Sequence, residues 1–384
     1  MKPRSDVHPW QRLEFRDPEK VQALRATLHR LCRDLAEPIS VMHVCGTHEQ
    51  SIARFGLRSL LPRNLNVIMG PGCPVCVTDM PEVDEAVVLA RQGITIATFG
   101  DMYRVPGSVQ SLAEAKAAGA DIRIVYSPWD ALRLARTLDR DVVFFATGFE
   151  TTAVATAAVI LSDPPSNFSV LSAHKYIPPV MEIIAEMPDT RVQGFLAAGH
   201  AATITGWKIF ERFVQRHQIP VVVGGFEPLD ILAALVQLVE LIRAGTPRVV
   251  NAYPRCVTPE GNLQAQRLLW EVFEPVGGTW RGIAHIPNGN LRIRDRYRMY
   301  DARYRYDIDL DELLREAPPR LIYECICGDI MAGIASPYDC RLFGKECTPQ
   351  NPVGACMVSS EGTCKIWYEY GGHIIIDDRA SSME

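Results

Sequence analysis

The chain has 384 residues, of which 47% are hydrophobic and 22% are charged, and its formal net charge is -5. This composition excludes an intrinsically disordered chain, and the length favours more than one domain. The acidic balance argues against a nucleic-acid partner, and no apolar run reaches the roughly 20 residues of a membrane span. Because the first residues lack the apolar segment of a secretory signal, we expect a cytoplasmic protein without a membrane partner.

The first half of the chain alternates apolar runs with amphipathic segments. After an N-terminal helical pattern (DPEKVQALRATLHRLCRDLA), the apolar runs predict β-strands at ISVMHVC, LNVIMG, ITIATFG, DIRIVYS, DVVFFATG, FSVLSAH, VQGFLAAGH and IPVVVGGF. Helical patterns such as EVDEAVVLARQG and PLDILAALVQLVELIRAG separate most of these runs. Continuous apolar strands joined by crossover helices are typical of parallel sheets that are covered on both faces. The predicted fold class is therefore α/β.

We predict two similar doubly wound parallel-sheet units, because the rhythm of strands and helices restarts near position 141. The first unit would cover 38–137 and the second 138–245. Further along, the chain becomes polar and irregular and then rich in cysteine. Residues 1–37 and 246–384 are predicted to form a third, loop-rich unit that binds an iron–sulfur cluster. A loop-rich segment with few long apolar runs needs a cross-link to be stable, and a metal cluster would supply one.

The eleven cysteines are many for a protein of a reducing compartment, where structural disulfides are rare. Metal binding or redox chemistry is therefore the better expectation. Two cysteines, Cys32 and Cys256, are interpreted as ordinary small buried side chains. The others form an early group and a late group: Cys45, Cys73 and Cys76, then Cys325, Cys327, Cys340, Cys347, Cys356 and Cys364.

The most unusual loops all follow predicted strands. They read CGTHEQ, GPGCPVC, FGDMYRVPGS, TGFETT, GHAATITGW and GGFEPLD. Because open parallel sheets bind ligands beyond the carboxyl ends of their strands, we expect these loops to line one cleft. Its polar floor would bind or protonate a ligand through Asp101, Arg104, Glu150, His174, His200 and Glu227. For Glu150, at a predicted helix start, capping of exposed amides is the simpler alternative.

Cys45 comes at the end of the first predicted strand and just before a helical pattern. A thiol at a helix N-terminus is expected to have a lowered pKa. His48 follows three residues later, so the pair offers a thiolate and an imidazole that suit iron or zinc, or a Cys–His nucleophile. A buried cysteine beside a hydrogen-bonded histidine is the structural alternative.

Cys73 and Cys76 form a Cys-x-x-Cys pair that contains a proline and follows a glycine-proline turn. Such a pair can close to a disulfide and reopen. Alternatively, it is half of a zinc site that Cys45 and His48 complete. The preceding GPG indicates a close approach to the backbone, which favours an exchangeable dithiol on an open turn.

Four cysteines of the tail are separated by twelve, six and sixteen residues: Cys327, Cys340, Cys347 and Cys364. Zinc sites usually show two tight Cys-x(2–4)-Cys knuckles, and this spacing has none. Well-separated thiolates in loops favour an iron–sulfur cluster instead. Cys325 and Cys356 are predicted to be the spare cysteines.

Taken together, CGTHE, GPGCPVC, TFGDMYRVPGS, TGFETT and the tail DCRLFGKECTP…MVSSEGTC resemble the HypD family of [NiFe]-hydrogenase maturation proteins. The resemblance runs from about residue 15 to residue 372. Two stretches depart from the family pattern, AAGHA at 197–201 and NAYPRC at 251–256. These departures concern details of the His200 loop and of the Cys256 region.

The resemblance implies a scaffold on which the Fe(CN)2CO fragment of the hydrogenase active site is built, rather than a conventional turnover enzyme. It implies two partners, the small chaperone HypC and the cyanide carrier HypE. The iron cargo would lie between Cys45 and the N-terminal cysteine of HypC. From the Cys-x-x-His spacing we expect His48 beside it, where it would bind or protonate. The four tail cysteines would hold a [4Fe-4S] cluster, and Cys73 and Cys76 would pass electrons between the cluster and the iron.

An iron–sulfur dithiol–disulfide oxidoreductase is the alternative function, since the same cysteines would serve it. A zinc-stapled binding module is a third possibility. In the absence of partners we expect a monomer. The residues predicted to carry the chemistry are Cys45, His48, Cys73, Cys76, Glu150 and His200, together with the four cluster cysteines.

Overall fold

A computed structural model describes residues 17–315 and 324–372 of the chain. All eight predicted strands are confirmed as β1 to β8, and three further strands follow them. The strands are β1 Ile39–His43, β2 Leu65–Met69, β3 Thr95–Phe99, β4 Ile122–Val125, β5 Val142–Gly148, β6 Phe168–His174, β7 Gly194–Ala198, β8 Val221–Gly224, β9 Val249–Asn251, β10 Phe273–Trp280 and β11 Ala284–Ile293.

Helices follow most of the strands, as the amphipathic patterns predicted. They are α1 Pro18–Cys32, α2 Gly46–Arg54, α3 Pro74–Val77, α4 Met80–Arg91, α5 Leu112–Ala117, α6 Pro128–Thr137, α7 Glu150–Ile160, α8 Ile177–Glu186, α9 Gly199–Thr205, α10 Glu211–His217, α11 Pro228–Ala244, α12 Leu263–Val272, α13 Ala302–Arg305, α14 Leu310–Arg315, α15 Cys327–Met331 and α16 Thr363–Tyr370. Within the described ranges, no helix combines the length and the apolar character needed to cross a membrane.

The first nine strands form two parallel sheets, which confirms the predicted class of two parallel-sheet units with a cysteine-rich region. One sheet has the order β2-β1-β7-β8-β9, and the other has the order β4-β3-β5-β6. Both faces of the second sheet are covered, since the adjacent residues Phe144 and Phe145 of β5 are fully buried in two different core clusters. Successive side chains of a strand point to opposite faces, so each face carries its own core.

The strand pairing differs from the predicted division of the chain at position 138. The chain begins the first sheet with β1 and β2, crosses to build the whole second sheet, and returns with β7 to β9. Each of the ranges 38–137 and 138–245 therefore contributes strands to both sheets. The N-terminal helix α1 packs on α11 of the first sheet. Hydrophobic periodicity locates strands, but their pairing depends on packing between distant segments.

A long β-hairpin lies in the region that the sequence indicated to be irregular. β10 and β11 pair antiparallel, with a register shift between Val276 and Gly278. Phe273 and Trp280, at the two ends of β10, are fully buried. The alternation typical of a strand was hard to recognise here because proline and glycine interrupt it.

Candidate thiol and metal site

Cys45 lies just beyond β1 and is the residue from which α2 begins. The backbone N–H of Gly46 donates to the carbonyl of Gly72 at 3.1 Å, so the glycine-proline turn after β2 lies directly against Cys45. A Cβ atom at Gly72 would collide with the Cys45 backbone. The GPG motif indicated that another group approaches the backbone closely. In the structure that group is the Cys45 backbone of the same chain, and glycine is required at position 72 because a side chain would not fit.

The Cys45 thiol is only 2% exposed and lies in a small apolar cluster with Ala198 and Ala201. Its sulfur is 3.9 Å from Nδ1 of His200. The two residues meet because β1 and β7 are neighbours in the sheet, and both side chains follow the carboxyl ends of these strands. The structure thus brings together two of the predicted site residues that are 155 positions apart.

The predicted lowering of the pKa of Cys45 is wrong for this structure. Burial raises the pKa of the thiol to about 12, although backbone hydrogen bonds from the start of α2 act in the opposite direction. The amides at a helix N-terminus stabilise a thiolate by a modest free energy. Removing the charged sulfur from water destabilises it by more. The sequence showed the helix start but not the depth of burial.

His48 has a structural partner and a free nitrogen. Its Nε2 donates to the carbonyl of Gly225 at 2.9 Å, and its ring stacks on Phe226 with centroids 4.8 Å apart. Burial lowers the pKa of His48 to about 3, so the ring is neutral. Nδ1 has no hydrogen-bond partner among the described residues. With the proton on Nε2, Nδ1 keeps a lone pair that is available to a ligand.

Phe226, which the sequence did not single out, lies between the two histidines. Its ring is 4.8 Å from that of His48 and 5.2 Å from that of His200. It also belongs to the apolar surroundings of Cys45. The site therefore combines one thiol and two imidazoles with an apolar wall. Cys45 and His48 are buried, whereas His200 and Phe226 are partly exposed. The GGFEPLD loop was noticed for its glutamate, whereas its phenylalanine is the residue in contact with the site.

A buried polar network behind Cys45 also escaped the sequence analysis. Glu49 accepts hydrogen bonds from His43 at 2.9 Å, from Arg58 at 2.7 Å and from the indole of Trp367 at 2.7 Å. Although burial acts the other way, the guanidinium of Arg58 and the imidazole of His43 hold the pKa of Glu49 well below its usual range. Because Trp367 belongs to α16, which also carries Cys364, this carboxylate joins the Cys45 helix to the cysteine-rich tail.

Cys73 and Cys76 are joined by a disulfide across the first turn of α3. Both are fully buried, so the prediction of an open turn is wrong. Pro74 at the first helical position favours this short helix. In this structure the two sulfurs are bonded to each other, and Cys45 and His48 have other neighbours.

The disulfide helix α3 contacts the cysteine-rich tail and follows the glycine-proline turn that lies against Cys45. α3 packs against the 3₁₀ turn Ala355–Met357, which contains Cys356. The buried guanidinium of Arg281 donates to the carbonyls of Thr78, just after α3, and of Pro106. Its positive charge also acts on Cys325 and Cys327. A buried cation beside these thiols favours negative charge on sulfur at this place.

The six tail cysteines converge, and the two predicted spares lie among them. Cys325 Sγ is 3.0 Å from Cys327 Sγ. The thiol of Cys327 also interacts with those of Cys356 and Cys364. The hydrogen bond between the Cys325 and Cys327 side chains lowers the pKa of Cys325 to about 7. The structure thus gathers these sulfurs, but it does not set Cys325 and Cys356 apart as the spacing predicted.

The other predicted polar residues serve separate contacts. Asp101 accepts from the hydroxyl of Ser359, and Arg104 donates to the carbonyl of Pro349, so this loop fastens the tail. His174 lies between Thr156 and the Gly148 carbonyl. Glu227 is the residue before α11. Of the two isolated cysteines, Cys32 is buried as predicted, whereas Cys256 is exposed because it lies in a turn beyond β9.

Glu150, at the start of α7, accepts a hydrogen bond from the backbone N–H of Ile177 at 2.9 Å. Glu150 therefore caps the start of α8. The sequence analysis gave capping as the simpler alternative for Glu150, but at the helix start where Glu150 itself lies. Its second oxygen has no partner in the part of the chain that the structure describes. Burial raises the pKa of Glu150 to about 7.

The Glu150→Gln variant should be more stable than the wild type above pH 7. The folded state binds a proton at Glu150 more tightly than the unfolded state, so stability falls as pH rises from about 4.5 to 7. Removal of the charge should add on the order of 3 kcal/mol above that range and nothing below it. Urea unfolding at several pH values measures the difference. The exposed Glu240→Gln is the matched control, and a constant difference at all pH values would contradict the prediction.

The grouped cysteines on a two-sheet α/β frame are compatible with a protein that binds a metal cluster. A family model described as HypD: Hydrogenase formation hypA family matches residues 19–371. The chain therefore belongs to the HypD family of hydrogenase maturation factors.

Individual relatives agree with this assignment. A putative hydrogenase expression/formation protein of Methanocaldococcus jannaschii is 44% identical over 338 residues, which cover 87% of this chain and 92% of the relative. Hydrogenase maturation factor HypD2 of Bradyrhizobium diazoefficiens is 42% identical over 93% of this chain and 96% of its own. HypD of Escherichia coli is 40% identical over 93% of this chain and 97% of its own.

Proposed function

We propose that this chain is the scaffold on which the Fe(CN)2CO fragment of a [NiFe]-hydrogenase active site is assembled. The observation that supports it most directly is the surroundings of Cys45. One thiol, an imidazole 3.9 Å away and a second imidazole with a free Nδ1 lie beside the apolar side chains around Cys45. Soft sulfur and borderline nitrogen ligands suit Fe(II) that carries cyanide and CO.

In this proposal Cys45 anchors the iron substrate through its sulfur. His200 Nδ1 is close enough to receive the thiol proton when iron binds. The Nδ1 lone pair of His48 is a second ligand or a hydrogen-bond acceptor, and Phe226 keeps both rings in place. We propose that HypC closes the site and supplies the second thiolate from its N-terminal cysteine, and that HypE delivers cyanide.

The tail fits an iron–sulfur cluster, because thiols converge there and the buried cation of Arg281 acts on them. We propose that it holds one [4Fe-4S] cluster, which when bound supplies electrons one at a time. The spacing of the tail cysteines predicts that the cluster ligands are Cys327, Cys340, Cys347 and Cys364. Free thiols and such a cluster require a reducing compartment, so the proposed location is the cytoplasm.

Cys73 and Cys76 are proposed to supply the two electrons that cyanide release requires. Cyanide on a carrier sulfur, as a thiocyanate, leaves when the S–C bond breaks and the carrier sulfur becomes a thiol. Two thiols of this chain then become a disulfide, and one proton goes to the carrier sulfur and one to the solvent or to cyanide. The observed disulfide is the oxidised form in this cycle, and its contact with the tail, directly after the turn that lies against Cys45, supports the role.

The scaffold proposal is tested by infrared spectroscopy of the chain purified anaerobically with its small partner. Bands of iron-bound cyanide and CO should be present and should disappear when iron is removed. Complete absence of these bands from an active maturation system would refute the proposal.

The alternative, a dithiol–disulfide oxidoreductase, is supported by the buried disulfide beside the tail thiols. It predicts reduction of a protein disulfide without any bound Fe–CN group.

Cys73 and Cys76 should gain and lose reactivity together. Alkylation in denaturant, followed by mass analysis, should show two more adducts after mild reduction than before it. In Cys73→Ser the partner Cys76 should react without reduction, because it can no longer form the bond. Zinc bound permanently by both residues, or a single additional adduct, would contradict the redox cycle.

A further inference from the structure

A second group of potential metal ligands lies far from the cysteines in the sequence, on α8 and α10. Glu182, Glu186 and His217 each offer one ligand atom, and these three atoms all lie within 4.8 Å of one another. We propose that the three side chains bind one divalent transition-metal ion, with Zn²⁺ as the best fit. One imidazole nitrogen and two carboxylate oxygens match the donors of open zinc sites, where water completes the coordination.

The two helices orient the ligands before any ion binds. Glu182 and Glu186 are one turn apart on α8, so they share a face. His217 is the last residue of α10, and its ring stacks on Phe213 with centroids 4.8 Å apart. The histidine side chain is only 10% exposed, and its Nε2 lies 2.5 Å from a Glu182 carboxylate oxygen. A fixed imidazole aimed at two carboxylates loses little freedom when a metal ion binds.

Arg216 is the group that now neutralises these carboxylates. Its guanidinium lies 3.4 Å from a Glu182 oxygen and 2.8 Å from a Glu186 oxygen. The arginine side chain is 62% exposed, and ion pairs of this kind contribute little because water screens them. An arriving cation can therefore displace the arginine, which turns away into solvent while the carboxylates change partner.

The group lies at the opposite end of the first sheet from Cys45. α8 precedes β7 and α10 precedes β8, so the carboxyl ends of these helices lie towards the amino ends of the strands. Cys45 and His200, in contrast, follow the carboxyl ends of β1 and β7. An ion here would tie α8 to α10 and would stabilise the fold without entering the thiol centres.

Cobalt(II) tests the proposal, because its visible spectrum distinguishes nitrogen and oxygen ligands from thiolates. The full-length chain, purified anaerobically so that any cluster on the tail thiols is retained, is titrated with Co²⁺. We expect one equivalent to bind without a thiolate charge-transfer band and to raise the thermal midpoint. Zn²⁺ should displace it. His217→Ala and Glu186→Gln should each weaken binding by at least about tenfold.

Two further variants make the test specific. Arg216→Gln should strengthen Co²⁺ binding by roughly two- to fivefold, since a competitor is removed. Glu260→Gln, which breaks the exposed pair with Lys208, is the matched control and should bind like the wild type. Glu186 is exposed enough that its replacement should not disturb folding. Unchanged binding in Glu186→Gln, or weaker binding in Arg216→Gln, would overturn the proposal.

Discussion

Replacement of Cys340 by alanine should remove the iron–sulfur cluster of the tail. The wild-type chain, purified without air, should be brown and should contain about 4 iron and about 4 sulfide per chain. In Cys340→Ala, both contents should fall to a small fraction of these values, because the thiolates are the ligands that hold such a cluster. Metal and sulfide analysis with visible absorption measures the loss. Cys256→Ala is the matched control, since this cysteine is exposed.

The same assay decides between the two adjacent cysteines. The spacing predicts that Cys327→Ala loses the cluster, whereas Cys325→Ala and Cys356→Ala retain most of it. The sulfurs of Cys325 and Cys327 are only 3.0 Å apart, so the two single variants are compared directly. If Cys325→Ala loses the cluster and Cys327→Ala keeps it, the ligand is Cys325. Cys327 would then interact only with the neighbouring thiols of Cys356 and Cys364 and would not bind the cluster.

The elements of the fold were predictable because they follow from local pattern. β1 to β8 and most of the helices between them lie where the apolar runs and the amphipathic segments indicated. The interleaving of the two sheets was not predictable in this way. The register that places Met42 beside Phe195 joins segments far apart in the chain, and no local period encodes it.

The candidate site shows the same limit. Cys45 at a strand end and the Cys73–Cys76 pair could be recognised from their own neighbours in the sequence. Contacts of Cys45 with the His200 region, and of Glu49 with Trp367, depend on the sheet order and on the docking of the tail. Burial is likewise a property of the whole fold, which explains why the predicted pKa shift of Cys45 had the wrong sign.

Replacement of Cys45 by alanine should abolish iron cargo binding while the tail cluster remains. Cys45 lies on the first sheet, whereas the tail cysteines begin at position 325, so the cluster thiols keep their own contacts. We expect the infrared bands of iron-bound cyanide and CO to disappear and hydrogenase maturation to stop. The free energy of unfolding should change by no more than about 1–2 kcal/mol, since only one small buried side chain is shortened.

The Cys45→Ser variant tests whether iron binding needs the sulfur atom itself or only a side chain of similar size. The hydroxyl fits the same space, but it is a hard ligand and is rarely ionised at neutral pH, so the bands should be lost as in Cys45→Ala. His48→Ala should reduce the bands less completely, because the Cys45 sulfur remains. The Cys32→Ala variant, which removes another buried thiol remote from this site, is the matched control and should retain them. Full-strength Fe–CN and Fe–CO bands in a Cys45→Ala complex would place the iron on another residue, and the two imidazoles around Cys45 would then need a different explanation.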